Sequence, residues 1–159
     1  MLSQGALWDY DFFFSKKGMR DEDIVVLYNQ RFNTVLDPAH TVEIKHRYFQ
    51  DHGSDFKPID VVVDVVRRYN GILPMAVASG GTRRNVTLQL ESIGVRNLFA
   101  VVLSGDDNIT PKPAPDIFLA AAKSIAVPPH LCQVFEDGDL GLEAARKAGM
   151  FVTDVRDYE

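Results

Sequence analysis

Residues 73–82 read Leu73-Pro74-Met75-Ala76-Val77-Ala78-Ser79-Gly80-Gly81-Thr82, an apolar run that opens into a hydroxyl and two glycines. Leu73 to Ala78 is expected to be a buried strand. Thr82 to Ser92 is expected to follow as a helix, with Val86, Leu90 and Ile93 at helical spacing and Gly94 ending it. The unit then recurs. Ala100 to Leu103 is the next strand and Pro115 to Ile125 the next helix, with proline near its first turn. Gln133 to Phe135 is a third strand, Gly141 to Ala148 a helix stopped by Gly149, and Phe151 to Val155 a fourth strand. Short apolar runs alternating with amphipathic segments are the pattern of βαβ units, so the fold class is α/β with a parallel sheet.

Ahead of Lys57-Pro58 the apolar spacing is helical. Ala6, Leu7, Tyr10, Phe13 and Phe14 share a face, and Gly18 is a plausible stop. A second helix is expected from Asp21, whose acidic first turn suits the positive end of the helix dipole. A third is expected from Asp37-Pro38, a cap followed by the one helical position that tolerates proline, and it stops by Gly53. Residues 1–57 therefore read as a small helical region and 58–159 as the α/β core. Ile59 to Val66 is ambiguous, because its valines favour a strand while Asp60, Asp64, Arg67 and Arg68 suit a helix. The spacing is read as a helix.

The 159 residues carry 17 basic and 22 acidic side chains, a net charge of −5, with no Lys/Arg run longer than a pair. That leaves no electrostatic footprint for nucleic acid. No stretch approaches the roughly 20 apolar residues that cross a bilayer, so no membrane partner is expected. One cysteine, Cys132, can form neither an internal disulfide nor a thiolate metal cluster, and a cytoplasmic, reducing setting is expected.

In an open parallel sheet, ligands bind at the carboxyl ends of the strands. Ser79-Gly80-Gly81-Thr82 offers backbone N–H groups and hydroxyls at a helix start, which can cradle a phosphate oxygen or serve as an ordinary cap. Lys112 sits among Pro111, Pro113 and Pro115, which restrict the backbone around its ammonium; alone, the segment also reads as a rigid loop with a solvated lysine. Glu136-Asp137-Gly138-Asp139 follows the third strand. Its carboxylates suit Mg²⁺, or Asp139 could cap the next helix. Together these are most of a phosphoryl-transfer site.

The segments Ala76-Val77-Ala78-Ser79-Gly80, Lys112-Pro113-Ala114-Pro115-Asp116-Ile117-Phe118, and Val134-Phe135-Glu136-Asp137 with Gly141, Ala144-Ala145 and Ala148-Gly149-Met150 resemble motifs II, III and IV of the haloacid dehalogenase (HAD) superfamily. Their order and spacing are similar to the beta-phosphoglucomutase-like subgroup, which includes small sugar-phosphate phosphatases. The resemblance implies a Rossmann-like core with a shortened N-terminal helical cap. It also implies Mg²⁺-dependent hydrolysis of a small phosphorylated metabolite through an aspartyl-phosphate. By that resemblance Ser79 and Gly80 would bind the phosphoryl group, Lys112 would neutralise charge on it and on the nucleophile, and Glu136 and Asp137 would serve the metal.

The family's first motif, a strand running into Asp-x-Asp-Gly-Thr, supplies the nucleophile, and no such sequence occurs here. Asp9-Tyr10-Asp11 after Ala6-Leu7-Trp8 is the candidate near the start. Two readings stay open. Residues 3 to 17 are a helix and the central strand is missing, or Leu2 to Trp8 are that strand and Asp9 and Asp11 a degenerate motif. An unfilled place in the sheet would favour pairing as a homodimer. Without the attacking carboxylate the alternatives are a non-catalytic phosphate-binding or interaction protein, or a truncated product. A phosphosugar mutase, drawing basic groups from His40, His46, His52 or Lys45, is a third.

Overall fold

The computed structural model describes residues 9–16, 19–51 and 57–158. The expectations for Leu2 to Trp8, for stops at Gly18 and Gly53 and for His52 lie outside the described residues. Three helices come first: α1 (Tyr10–Phe14), α2 (Asp21–Phe32) and α3 (Pro38–Asp51). Of the helix expected over residues 3–17, the described part is α1, Tyr10–Phe14. Asp9 has extended backbone (φ −118°, ψ 105°) and its carboxylate accepts the Phe12 N–H at 2.8 Å, so the helix begins at Tyr10. Phe12 and Phe13 pack against Tyr28, whose ring is fully buried, and Phe12 also meets Phe32, so aromatic contacts fasten α1 to α2. The α2–α3 turn is organised by Asn29, which donates to the Leu36 carbonyl and accepts from the Leu36 N–H and the Thr34 hydroxyl.

The α/β part begins with α4 (Asp60–Tyr69), which resolves the valine-rich ambiguity as a helix. Val63 and Val66 are buried three apart, while Asp60, Asp64, Arg67 and Arg68 face outward. Next come β1 (Ala76–Ala78), α5 (Arg83–Ser92), β2 (Val101–Leu103), α6 (Asp116–Ser124), β3 (Gln133–Glu136), α7 (Asp139–Lys147) and β4 (Phe151–Asp154). β1 is three residues shorter than its apolar run. Gly71 turns with φ +73° after α4, the Leu73 N–H bonds back to Tyr69, and Pro74 follows, so Leu73 stays in the turn.

β1 pairs in parallel with β2, Ala76 opposite Val101, and β3 pairs in parallel with β4, Gln133 opposite Phe151. Among the described residues no strand joins the two pairs. The core spans them instead. Ile117 and Phe118 of α6 meet Val134, Ala144, Ala145 and Met150, with Ala78 and Leu103 packed alongside. The fully buried Ala144 and Ala145 give α7 a flat face for close approach. At the far end Arg156 donates to both carboxylate oxygens of Asp154 and, at 2.8 Å, to Asp139 at the start of α7. Asp139 therefore pairs with Arg156, and Gly138 takes the cap position expected of it.

Among the described residues no helix is long and apolar enough to cross a membrane.

Candidate active site

The carboxyl ends of β1 and β3 open into one cavity of about 1140 Å³, roofed by the N-terminal helices. Ser79, Gly80, Lys112, Glu136 and Asp137 all line it, so the structure brings every expected site residue together. Phe13, Lys16, Asp21, Lys45 and Tyr48 line the helical side. Asp9 and Asp11 are not among the lining residues. Asp9 caps α1, and Asp11 is exposed on that helix.

The turn after β1 is built from the backbone outward. The Ser79 N–H bonds to Leu103 O, continuing the β1–β2 ladder, and Ser79 Oγ accepts the Gly81 N–H at 3.2 Å. Accepting through a lone pair leaves the hydroxyl proton available to a phosphoryl oxygen. Thr82 caps α5 through the Asn85 N–H, which aims the positive end of that helix toward the turn.

A second layer, absent from the expectations, clamps this turn. The Gly105 N–H bonds to Gly81 O at 2.8 Å. Arg83 donates from its side chain to Val102 O at 3.0 Å and to Asp107 at 2.6 Å, while its backbone N–H bonds to Asp106. Asp107 also accepts from the Ser104 N–H and hydroxyl. Burial would raise this carboxyl, yet the Ser104 and Arg83 hydrogen bonds prevail and hold it below the ordinary aspartate value. The signal was present in the sequence, since Gly105-Asp106-Asp107 also follows a strand end, that of β2.

This clamp gives a direct prediction. A Cβ on Gly105 would lie 2.4 Å from the Gly80 carbonyl oxygen, which is backbone and cannot swing aside. Gly105→Ala is expected to push the turn outward and weaken binding of inorganic phosphate at least about tenfold, some 1.4 kcal/mol. Isothermal titration of the folded variant checks this.

Lys112 is buried rather than solvated, 5% exposed, with Nζ 2.7 Å from Glu136 Oε2 and 4.8 Å from the Phe118 ring centroid. The ring face adds a cation–π contact to the ion pair. The other oxygen of Glu136 accepts the N–H groups of Asp137 and Gly138, at 3.2 and 3.1 Å. Glu136 thus orients the ammonium and the backbone that carries Asp137.

Magnesium is implied by the resemblance, and its fit can be judged from these donors. Both Glu136 oxygens are engaged, and Asp137 contributes the neighbouring cavity-lining carboxylate. Among the described residues no cluster of three or more His, Cys, Asp or Glu forms a cage. Mg²⁺ binds through one or two carboxylates, substrate phosphate oxygens and retained waters, and the donor set fits that mode. On the helical side Lys45 pairs with Asp21, and His46 Nε2 lies 3.4 Å from Thr82 Oγ1, so α3 touches the turn after β1. Cys132 lies apart, half-buried, and burial pushes its thiol up.

A glycine turn, a helix start and a buried ammonium around one cavity at the carboxyl ends of parallel strands are an arrangement of α/β proteins whose chemistry suits an anion. The chain belongs to the haloacid dehalogenase-like hydrolases, whose family model matches residues 12–149. It is 44% identical over 95 residues to fructose-1-phosphate phosphatase YqaB of Escherichia coli, covering 60% of this chain and 50% of that protein. It is 37% identical over 83 residues to protein CbbY of Rhodobacter capsulatus, covering 50% of this chain and 37% of that one. The structure of beta-phosphoglucomutase from Clostridium difficile superposes with TM-score 0.80 at 22% identity, covering 96% of this chain and 72% of that chain. The chain spans about half the length of the first curated relatives it matches. The α/β fold and the superfamily expected from the motifs are thereby established.

Proposed function

We propose that the cavity binds a small sugar phosphate and supports its Mg²⁺-dependent hydrolysis, as a cytoplasmic phosphoric monoester hydrolase. The observation that supports this reading is the meeting of Ser79, Gly80, Lys112 and Asp137 in one cavity, with Lys112 held by Glu136. The Ser79 hydroxyl and the N–H groups of the turn orient the phosphoryl oxygens. The Lys112 ammonium, shielded from water, offsets the charge that builds on them. Asp137 would hold magnesium, which supplies further charge neutralisation at the phosphoryl group when bound. Lys45 and Tyr48 line the helical side of the same cavity and are polar groups suited to the hydroxyls of a sugar.

A second reading, phosphate binding without turnover, is favoured by one observation. Asp9, the candidate nucleophile, spends its carboxylate on the α1 cap. Mg²⁺-dependent hydrolysis of a panel of small sugar phosphates, measured for wild type, Asp9→Ala and Asp137→Ala, separates the two. Hydrolysis that EDTA abolishes and that falls at least about 100-fold in Asp137→Ala supports the enzyme, since metal-borne charge stabilisation is worth several kcal/mol. Binding of inorganic phosphate without hydrolysis by wild type establishes the second reading. A wild type that binds no phosphate overturns both.

A further inference from the structure

With the phosphoryl group held by Ser79, Gly80 and Lys112 at the strand ends, the rest of an ester lies against the helical side of the cavity. That side is built around a carboxylate. Asp21 stands in the first turn of α2 together with Glu22 and Asp23, so the positive end of this helix carries three acidic side chains. The Asp21 side chain is 11% exposed and pairs through Oδ1 with Lys45 Nζ of α3. Its other oxygen, Oδ2, is buried with no hydrogen-bond partner among the described residues, and His46 Nε2 stands 4.0 Å away.

The two sides of the cavity therefore meet an anion differently. At the strand ends Lys112 acts together with the Ser79 hydroxyl, the N–H groups of the glycine turn and the start of α5. On the helical side Lys45 is already neutralised by Asp21, and the start of α2 offers carboxylates in place of a cradle. Around the whole cavity the described lining charges balance, Lys16, Lys45 and Lys112 against Asp21, Glu136 and Asp137. Lys16 alone of these ammoniums has no carboxylate partner among the described residues, and its Nζ sits 5.8 Å from the Phe12 ring centroid.

We propose that Asp21 is a specificity-determining residue that restricts the cavity to substrates with a single phosphate and a neutral polyol at the far end; this rests on the phosphate-hydrolase reading of the site. A second phosphate brought to Asp21 meets a like charge in a place shielded from water. Asp21 Oδ2 also needs a donor, which a phosphate dianion is not. A sugar hydroxyl donates to a carboxylate oxygen and accepts from an ammonium, so it suits both Asp21 and Lys45. Selectivity then comes from the penalty on the second anion as much as from contacts to the sugar.

Isothermal titration in EDTA, where hydrolysis does not intervene, compares inorganic phosphate, fructose 1-phosphate and fructose 1,6-bisphosphate. Wild type is expected to bind the monophosphate at least about tenfold more tightly than the bisphosphate. Asp21→Asn keeps the shape and removes the charge, and should narrow that ratio by at least about tenfold. Should this variant fail to fold, the wild-type ratio at low and high salt decides, because exclusion by charge relaxes as counterions screen it and exclusion by size does not. Equal affinity of wild type for the two esters overturns the inference, as does an unchanged ratio in folded Asp21→Asn; binding of inorganic phosphate in the same series keeps the phosphate reading standing in either case. A wild type that prefers the bisphosphate overturns the inference in favour of mutase-type recognition. A wild type that binds no inorganic phosphate removes the phosphate reading itself, and the inference with it.

Discussion

Lys112→Ala is expected to lower stability by about 3–5 kcal/mol and to abolish phosphate binding. The ammonium is buried and pairs with Glu136 at 2.7 Å, so truncation leaves a carboxylate in a poorly solvated place without its counter-charge. That loss belongs to the orphaned partner more than to the bond itself. Lys112→Met combined with Glu136→Gln, which removes both charges at similar volume, is therefore expected to recover most of the stability and none of the binding. Urea denaturation and phosphate titration of the three proteins check this. A drop below about 1 kcal/mol in Lys112→Ala, the range of exposed ion pairs, would show that water reaches the pair.

Gly141→Ala should behave against the usual rule. Alanine in a helix interior normally gains about 1 kcal/mol over glycine. Gly141 is buried in α7, and a Cβ there would stand 2.1 Å from Glu136 Cδ and 2.3 Å from its Oε2. A carboxylate at the end of a flexible side chain would ordinarily swing away. Glu136 cannot do so cheaply, because Lys112 and the N–H groups of Asp137 and Gly138 hold it. The expected result is a net loss of about 1–3 kcal/mol, as in overpacked cores, together with weaker phosphate binding as Lys112 loses its anchor. Thermal unfolding beside Glu136→Ala and the double variant should show strong non-additivity, since the second methyl then has room. A more stable Gly141→Ala would refute the account of Glu136 as a fixed post.

Ser79-Gly80 and Glu136-Asp137 were legible because they stand where β1 and β3 end, and a strand end fixes where the next side chains emerge, whereas Lys112, nine positions past the end of β2, stood out by the prolines around it. Strands β2, β3 and β4 were legible for the same local reason, as short apolar runs between turn residues. Leu73 was misread because apolarity alone does not show that Gly71 and Pro74 hold it in a turn. The burial of Lys112 was hidden because its ion-pair partner is 24 residues away at the end of β3, although the ring it stacks on, Phe118, is close by in α6. Arg83, Gly105 and Asp107 escaped notice likewise, since their contacts cross from α5 to the loop after β2. Asp9 illustrates the converse: as a candidate nucleophile it was conspicuous, yet its position before an amphipathic run also fits the cap it forms.

The fork from Arg156 to Asp154 and Asp139 makes the end of the sheet a proton-linked fastening. Hydrogen bonds from the Arg156 side chain and backbone hold the Asp154 carboxyl at about 2, against 3.8 for an ordinary aspartate. The folded state therefore takes up this proton at lower pH than the unfolded chain does. The stabilisation is complete above about pH 4, declines as the unfolded chain protonates, and is gone once pH falls through about 2. Asp154→Asn should consequently flatten the acid limb of the stability profile between those limits and leave its slope near neutrality unchanged, as urea midpoints measured across that range will show. Added salt should weaken the wild-type fastening, because the fork stands at the surface where counterions reach it.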